Sequence, residues 1–282
     1  MNRNEKKEQG TFSKVIILMI MIAIALLLIL PILWLLSASL QGRGEIYKMP
    51  FSWIPEVFKF VNYPEAWKYG KLASAFISTT ITSVLYIAIH LFVCTITGYV
   101  FAKFKFRFKG VCLALIMMTM LIPQEISFLP IYDIVKRLGL IDTYVGLGLP
   151  YYVSGVGVFL MIQFAKYVPD EILESARIDG CSSFKTFTRV AVPLMKSGIS
   201  SLAILAFTFI WNEFTWARIV VNTDKRRTLS IALTMLAKAS DQSTKIPELL
   251  AASVMSLIPI FIIFFIFQKQ FIESVSSAGI KG

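Results

Sequence analysis

Long apolar runs separated by short polar segments dominate the pattern of this 282-residue chain. A helix needs about 20 mostly apolar residues to cross the hydrocarbon core of a bilayer. Backbone polar groups must be satisfied inside lipid, so each run of this length predicts a transmembrane helix. The predicted spans cover roughly 15–39, 72–101, 111–130, 144–167, 198–217 and 249–268.

The first run follows the basic segment MNRNEKKEQGTFSK, which superficially resembles the start of a secretory signal. The apolar core of a signal peptide is about 7–15 residues long. Here the run extends from Val15 to about Ser39. It is therefore predicted to be a retained anchor.

Small hydroxyl residues follow one face of the second predicted span. Ser74, Ser78 and Thr82 recur at helical spacing, with Thr79 and Ser83 beside them. Such residues let helices approach closely and form hydrogen bonds across a bundle interior. The alternative is that each hydroxyl bonds back to a carbonyl of its own helix and carries no information about packing. The sequence leaves both interpretations open.

The composition supports a membrane protein, with 56% hydrophobic and 16% charged residues against roughly 25% charged residues in soluble domains. The net charge is +11. Nucleic-acid binding needs basic faces on a soluble fold, whereas many Lys and Arg residues here lie between apolar runs, so no nucleic-acid partner is expected. Cys94, Cys112 and Cys181 form no CxxC pair and are predicted to be reduced.

The orientation depends on one short loop, because Lys and Arg are divided almost equally between the two sides. The segment KFKFRFKG at 103–110 carries four basic residues and no acid, and such loops favour the cytoplasm. An even number of spans puts both termini on that side. We therefore predict cytoplasmic tails at 1–14 and 269–282, an external loop at 40–71 and a five-helix core at 72–268.

A charged stretch, DEILESARIDGCSSF at 170–184, interrupts the most apolar half of the chain. Pro169 suits the first turn of a helix, and Asp170 and Glu171 lie near the positive end of the helix dipole. Gly180 is typical of the position that follows a helix. These signals predict a short helix over 169–179.

A second short helix is predicted to start at Ser182 or Ser183, either of which can cap it, and to end at Pro193. The resulting hairpin is too short and too charged to cross the membrane. One interpretation is a linker that lies on lipid headgroups. The other is a docking element for a protein partner. In that case an apolar stripe faces the partner and a charged rim surrounds it. The stripe consists of Ile172, Leu173 and Ala176, and the rim of Glu171, Glu174 and Arg177.

The motifs of the main enzyme classes are absent from the sequence. The chain has no G-x-x-x-x-G-K-[ST] phosphate loop, no H-E-x-x-H and no G-x-S-x-G, and it has one histidine. We expect no catalytic activity, no bound metal and no cofactor. His90, in mid-span, is either a functional group or a neutral, hydrogen-bonded member of the bundle. Glu125 and Glu213 either line a substrate path or pair with a neighbour such as Arg218. Trp211 and Trp216 either stack on sugar rings or belong to an interfacial belt.

The segment ESARIDGCSSFKTFTRVAVP resembles the EAA loop of ABC-importer permeases, which reads E-A-A, three residues, G, nine residues, I-x-L-P. Glu174, Ser175 and Ala176 match E-A-A, Gly180 matches the glycine, and 190–193 match the end. Three further segments are similar to carbohydrate-uptake permeases of the maltose type: 121–151, WNEF at 211–214 and FIESVSSAGIKG at 271–282. The similarity covers roughly 15–282.

The resemblance implies an all-α integral membrane protein with the type I ABC importer permease fold: six transmembrane helices and a cytoplasmic coupling-helix hairpin within 168–193. It implies a permease subunit of an ATP-driven importer for a sugar or oligosaccharide, in the inner membrane of a bacterium. The implied partners are a second, homologous permease in a heterodimer, a cytoplasmic ATPase dimer, an extracellular solute-binding protein and membrane lipid. The implied coupling residues are Glu174, Ser175, Ala176, Arg177, Asp179, Gly180 and Pro193, and the candidate path residues are Trp211, Asn212 and Glu213.

A competing interpretation is a secondary transporter driven by an ion gradient. Such a protein is expected to carry functional acids deep within its spans and inverted repeats. His90 and Glu213 give this interpretation weak support, and no inverted repeat is evident.

Overall fold

A computed structural model describes residues 3–50, 52–240 and 245–279, and most of these residues are helical. The chain forms two compact units, Met1–Gly70 with Met235–Met255, and Lys71–Thr234 with Ser256–Gly282. In chain order the helices are α1 Arg3–Ser39, α2 Arg43–Ile46, α3 Asn62–Tyr69, α4 Leu72–Lys103, α5 Lys109–Thr119, α6 Gln124–Arg137, α7 Tyr144–Gly148, α8 Gly155–Lys166, α9 Asp170–Ile178, α10 Ser183–Thr186, α11 Val192–Leu194, α12 Lys196–Asn212, α13 Thr215–Val220, α14 Leu229–Ser240 and α15 Ile246–Gly279.

Helices lie on all of the predicted spans, but the spans differ in shape. Three are continuous and apolar enough to cross a membrane: Lys14–Ser39, Leu72–Lys103 and Ile246–Gln268. Three others are pairs of helices bent at a short break, by 101° between α5 and α6, by 64° between Tyr144–Tyr151 and α8, and by 77° between Ser183–Leu194 and α12. The chain therefore has up to 6 spans by length and composition.

Local chemistry accounts for the breaks in the bent spans. Pro123 precedes α6 with an extended backbone, and the residue before a proline is itself disfavoured in helical geometry. Ser154 is also extended, and its hydroxyl accepts a hydrogen bond from the N–H of Gly157 at 3.0 Å. A serine in this position caps a new helix. Each of these two apolar runs, predicted as one continuous span, is therefore a pair of helices joined at Pro123 or Ser154.

The described parts of both predicted tails are helical. The predicted N-terminal tail continues α1 from Arg3, and the predicted C-terminal tail continues α15 to Gly279. Residues 1–2 and 280–282 lie outside the described part of the chain.

The core of the second unit is built on α4 and α8. A Cβ atom on Gly98 would lie 2.5 Å from the Cβ of Met161, so only glycine permits this approach of the two helices. One apolar cluster surrounds Tyr99, Met161 and Phe187, and a second surrounds Tyr151 and Trp216.

The hydroxyl face of α4 divides between the two interpretations. Ser78 is buried and donates to the carbonyl of Arg226 at 2.9 Å, and Thr79 accepts from the N–H of Leu229 at 2.8 Å. Ser74 instead bonds back to the carbonyl of Lys71 at 2.9 Å. Interior packing with hydrogen bonds to other segments is therefore confirmed for Ser78 and Thr79, and back-bonding for Ser74. Thr82 and Ser83 are buried, but their hydroxyls have no hydrogen-bond partner among the described residues.

The segment that follows α1 in the first unit is folded by buried polar contacts. The Asn62 amide donates to the carbonyls of Ser39 at 2.8 Å and Gln41 at 3.0 Å. The Gln41 amide donates to the carbonyl of Ser52 at 2.6 Å. These bonds satisfy backbone groups that a loop would otherwise bury without partners.

Candidate functional site

The first helix of the charged hairpin ends as the sequence predicts. Gly180 has a left-handed backbone, with φ of 83°. The N–H of Gly180 donates to the carbonyl of Arg177, and that of Cys181 donates to the carbonyl of Ala176, both at 3.0 Å. This pair of bonds is the Schellman motif, which satisfies the last carbonyls of a helix. No atom lies within 4 Å of a Cβ added to Gly180, so its requirement for glycine comes from the backbone alone.

The second helix of the hairpin is longer than predicted. The Ser182 hydroxyl caps α10 by accepting from the N–H of Lys185 at 3.4 Å. A π-helical turn at Phe187–Ala191 follows, and α11 continues to Leu194. The helix ends at Leu194, one residue beyond the predicted end at Pro193, and Pro193 lies in the first turn of α11. Met195 follows as the C-cap of α11.

The apolar stripe predicted on the first helix needs a correction. Leu173 is 2% exposed and packs inside the chain, so it is not available to fill a groove on a partner. The exposed apolar side chains of the hairpin are Ile172, Ile178 and Phe184, of which Ile178 is 86% exposed. The acids Glu174 and Asp179 are exposed, as is Arg177. The hairpin therefore offers an apolar tip beside a charged rim.

An ion pair ties the hairpin to the end of α4. The Lys103 ammonium donates to Asp170 at 2.8 Å and to the carbonyl of Val168 at 2.5 Å. The side chain of Lys103 is 7% exposed and that of Asp170 is 72% exposed. Nearby, the Arg177 guanidinium lies 5.8 Å from the ring centre of Phe104. The sequence gives no sign of this pairing, because its partners lie 67 residues apart.

Three cavities open in the second unit. Their volumes are about 540, 310 and 330 Å³. Gln124, at the start of α6, and Tyr151 line all three. Asn212 and Glu213 line the third, together with Glu125, so the structure brings these predicted path residues together.

Glu213 holds α13 against the rest of the second unit. Its carboxylate accepts from the N–H of Trp216 at 2.7 Å and of Ala217 at 3.0 Å, and from the Tyr151 hydroxyl at 3.2 Å. The described ion pairs include none between Glu213 and Arg218. Of the two alternatives for Glu213, an ion pair with Arg218 is not found among the described residues, because the carboxylate caps the short helix that follows it.

Both tryptophans are core residues. Trp211 is 5% exposed, stacks on Phe207 at 5.2 Å between ring centres and donates to the carbonyl of Ser256 at 3.2 Å. Trp216 is 0% exposed and donates to the carbonyl of Gly146 at 2.9 Å. Neither lines one of the three cavities. Their burial does not fit an interfacial belt, and the role of Trp211 on the substrate path stays a prediction.

His90 is a hydrogen-bonded member of the bundle, as one of the two interpretations predicts, and a functional role for it stays a prediction. Its Nδ1 lies 3.2 Å from the carbonyl oxygens of Tyr151 and Tyr152, at the break between the two halves of a bent span. Its ring stacks on Tyr86 at 5.0 Å. The side chain is buried and hydrogen-bonded, and it also contributes to the wall of the second cavity.

A polar cluster outside the spans fixes the loop between α13 and α14. Asp142 accepts from the N–H groups of Asn222 at 3.0 Å and Thr223 at 3.1 Å, and from the Thr223 hydroxyl at 2.6 Å. Partial burial alone would raise the pKa of Asp142, but these hydrogen bonds outweigh it and hold the pKa below its usual value. Asp224 in the same loop pairs with Lys71 and Arg227. Sequence reasoning missed this cluster, because its members are far apart in the chain.

Comparison with known families gives a match over much of the chain. Residues 94–277 match the sequence profile of the family described as binding-protein-dependent transport system inner membrane component. The matched range contains the charged hairpin and nearly all residues that line the three cavities.

Individual relatives match over most of their length. The chain is 33% identical over 255 residues to the arabinooligosaccharides transport system permease protein AraQ of Bacillus subtilis, covering 89% of this chain and 90% of that protein. It is 27% identical to the sn-glycerol-3-phosphate transport system permease protein UgpE of Rhizobium meliloti, over 88% of this chain and 90% of that protein.

A solved structure shares the fold. A chain of a bacterial ABC transporter involved in the import of the acidic polysaccharide alginate aligns with a TM-score of 0.80 at 21% sequence identity. The alignment covers 95% of this chain and 98% of that chain.

Proposed function

This chain belongs to the family of binding-protein-dependent transport system inner membrane components, and we propose that it moves a sugar or oligosaccharide through the site lined by Gln124 and Tyr151. As a member of that family it is a permease subunit of an ABC importer, and ATP hydrolysis takes place on a separate subunit. The alternative of an ion-driven secondary transporter has no support.

The proposal for the substrate class combines the cavities with the relatives. Among the relatives, AraQ is named for arabinooligosaccharides, and a further one, NgcG of Streptomyces coelicolor, for diacetylchitobiose. The three cavities offer neutral donors and acceptors beside aromatic rings, which is the mixture that small-molecule sites use. A sugar fits this mixture, because its hydroxyls need hydrogen-bond partners and its C–H faces pack on rings.

The observation that carries the mechanism is the anchored hairpin. Its tip presents Ile178 and Phe184 to a partner, while Lys103 joins its base to the end of α4. We assign Glu174, Ser175, Ala176, Arg177, Asp179, Gly180 and Pro193 to the coupling element that contacts the ATPase. The roles of Ser175 and Ala176 are internal to α9, where the Ser175 hydroxyl bonds back to the carbonyl of Glu171 at 2.8 Å.

Force applied to the hairpin has a direct route to the substrate site. α4 begins at Leu72 and ends at Lys103, and between these ends it carries Tyr86 and His90 on the wall of the second cavity. A displacement of the hairpin that pulls on Lys103 therefore acts on the helix that shapes the cavity. ATP binding would favour one of two arrangements of this unit by binding it more tightly, and the cavity would open to the other side of the membrane.

The partners follow from the same assignment. Members of this family work with a second permease, an ATPase and a solute-binding protein. We propose that this chain forms a heterodimer with a homologous permease, docks on a cytoplasmic ATPase dimer through the hairpin and receives substrate from an extracellular binding protein. We place both termini and the hairpin in the cytoplasm of a bacterium, and the 40–71 segment outside, in line with the basic 103–110 segment.

Uptake by the purified complex tests the function. The complex, reconstituted in liposomes with its binding protein, is expected to accumulate labelled neutral oligosaccharide when ATP is supplied on the ATPase side. A sodium or proton gradient without ATP should give no accumulation. Accumulation by this chain alone, driven by an ion gradient, would overturn the assignment.

A further inference from the structure

We propose that the three cavities form a passage that accepts an uncharged sugar and rejects an anionic one. This inference rests on the proposed importer function and narrows its substrate class. It is carried by the charges of the lining residues and by the hydrogen bonds that those residues already make.

Among the residues that the structure describes, no lysine or arginine lines any of the three cavities. Recognition of a phosphate or carboxylate in a site of this kind relies on Arg or Lys, since these side chains supply charge-assisted hydrogen bonds. The remaining basic side chain of the lining is His90, which is 2% exposed and engaged with the carbonyls of Tyr151 and Tyr152. An anionic sugar would therefore lose its hydration without gaining a cationic partner.

Backbone donors do not replace the missing cations. Helix N-termini attract anions through their free N–H groups, and three helices begin at the cavity walls. At α6 no described side chain caps the N-terminus, but the carboxylate of Glu125 lies in the first turn and offsets the positive end of the helix dipole. At α13 the N–H groups of Trp216 and Ala217 are occupied by the carboxylate of Glu213. At α8 the N–H of Gly157 is occupied by the hydroxyl of Ser154. The protein's own side chains thus cap the N-termini of α8 and α13 and offset the dipole of α6.

The fixed charge of the lining is negative. Glu125 is exposed at the third cavity, and the ion pairs of the described residues include none with it. A cleft lined by one sign of charge focuses its field and changes the local concentration of ions by about 10–10³-fold. This field repels an anion and leaves a neutral molecule unaffected.

The acids of the lining are too few to bind a cation in place of a sugar. Three internal hydrogen bonds already use the Glu213 carboxylate, which leaves Glu125 as a single exposed acid. The walls are otherwise neutral and aromatic: the rings of Tyr151 and Phe209 meet edge to face at 4.9 Å, and Phe128 lies 6.4 Å from Tyr151. Amide and hydroxyl groups on Gln124, Thr208 and Asn212 supply the polar contacts. This arrangement suits a neutral polyol.

Thiol reaction rates measure the charge selectivity of the passage directly. The complete complex would carry Asn212→Cys in a chain whose native cysteines are replaced. The introduced thiol is allowed to react, in liposomes, with three methanethiosulfonate reagents: hydroxyethyl (neutral), sulfonatoethyl (anionic) and trimethylammonioethyl (cationic). The rate for each reagent is divided by its rate with free 2-mercaptoethanol. We expect the anionic reagent to react at least about tenfold more slowly than the neutral one, and the cationic reagent to react faster. Glu125→Gln should narrow the difference, and Glu125→Lys should narrow it further.

Two results would overturn the proposal. One is that the anionic reagent reacts as fast as the neutral one and that neither Glu125 variant changes the ratio of the two rates. The other is a thiol that the neutral reagent does not reach, because Asn212 would then not line an aqueous passage.

Uptake separates this proposal from the function on which it rests. With ATP, the complex is expected to take up a neutral trisaccharide, from a panel of arabinotriose and maltotriose, at least about tenfold faster than trigalacturonate. Equal uptake of trigalacturonate would refute the charge selectivity and leave the importer function intact. No ATP-dependent uptake of any sugar, with the thiol rates as expected, would refute the importer function and leave the charge selectivity intact.

Discussion

The buried ammonium of Lys103 lies 2.8 Å from the exposed carboxylate of Asp170, and this pair joins the longest continuous helix of the core to the base of the charged hairpin. Lys103 is the last residue of α4 and Asp170 the first of α9. The two elements cannot move apart without leaving a buried charge with fewer partners, which is costly. The pair is therefore suited to transmit displacement from hairpin to core.

Substitutions at this pair should act asymmetrically on stability. Asp170→Asn leaves the Lys103 ammonium buried with a weaker partner, at a cost of about 1–3 kcal/mol. Lys103→Met removes the buried charge and keeps an apolar stem, so stability should change by less than about 1 kcal/mol. Thermal unfolding of the purified complex in detergent measures both.

The same variants should lower the number of sugar molecules moved per ATP hydrolysed. Lys103→Arg keeps the charge and its donors and should retain this ratio. If Lys103→Met transports with an unchanged ratio, the pair has no part in transmission.

The left-handed backbone of Gly180 predicts that substitutions at this position weaken ATPase binding to different degrees. A residue with a Cβ in the left-handed region costs about 1–2 kcal/mol, and Asn tolerates this region better than Ala. We expect ATPase copurification to fall in the order Gly, Asn, Ala, with Gly180→Asp lower still because it adds a further acid beside Asp179. Pull-down of the ATPase through a tag on this chain measures the order.

Gly110→Ala is the matched control for that series. Gly110 also has nothing within 4 Å of an added Cβ, but it has no positive φ. Copurification should stay at the wild-type level in this variant. Equal losses in Gly180→Ala and Gly110→Ala would show that the Schellman geometry is not required.

Glu213 should stabilise the packing of α13 in the core of the second unit. Glu213→Ala leaves the N–H groups of Trp216 and Ala217 without their acceptor, and loss of such a cap costs about 0.5–2 kcal/mol. Glu213→Gln keeps one oxygen acceptor and should cost less. Tyr151→Phe removes one hydrogen bond, worth about 0.5–1.5 kcal/mol, and serves as the control. A Glu213→Ala chain that unfolds at the wild-type temperature would contradict the capping role.

The depressed pKa of Asp142 predicts an acid-dependent loss of stability. Its hydrogen bonds from Asn222 and Thr223 favour the ionised form, so the folded chain binds this proton less readily than the unfolded chain. The contribution is complete above the unfolded pKa of about 3.9 and is lost as pH falls through the lower, folded value. The unfolding midpoint of wild type should therefore fall more steeply than that of Asp142→Asn below about pH 4. Parallel curves would exclude this contribution.

Local signals predicted the elements of this chain well. Gly180 was identified from its position after a charged helix, and the six apolar runs from their length, because both signals are contained within a few neighbouring residues. The bends within the third and fourth predicted spans were not predicted, since Pro123 and Ser154 can also occur in a continuous membrane helix. The bend before α12 lies close to the break that was predicted at Pro193.

Long-range contacts were beyond the same reasoning. Leu173 has the spacing of an exposed stripe, but packing against the core buries it. Trp211 opens the WNEF segment and Trp216 lies two residues beyond it, and their indole N–H groups bond to the carbonyls of Ser256 and Gly146. The ion pair of Lys103 and the cap of Glu213 depend on which helices become neighbours, and no periodicity in one chain encodes that.

The most direct test of the account is photocrosslinking from the hairpin in the assembled complex. A benzoylphenylalanine at position 178, where the native side chain is 86% exposed, should give one major product with the ATPase, and its yield should change when ATP is bound. The same probe at 173, where the native side chain is 2% exposed, should give no such product. Transport that continues while position 178 crosslinks only to lipid, or is labelled only from outside the cell, would contradict the claim that this hairpin couples ATP hydrolysis to movement of the substrate.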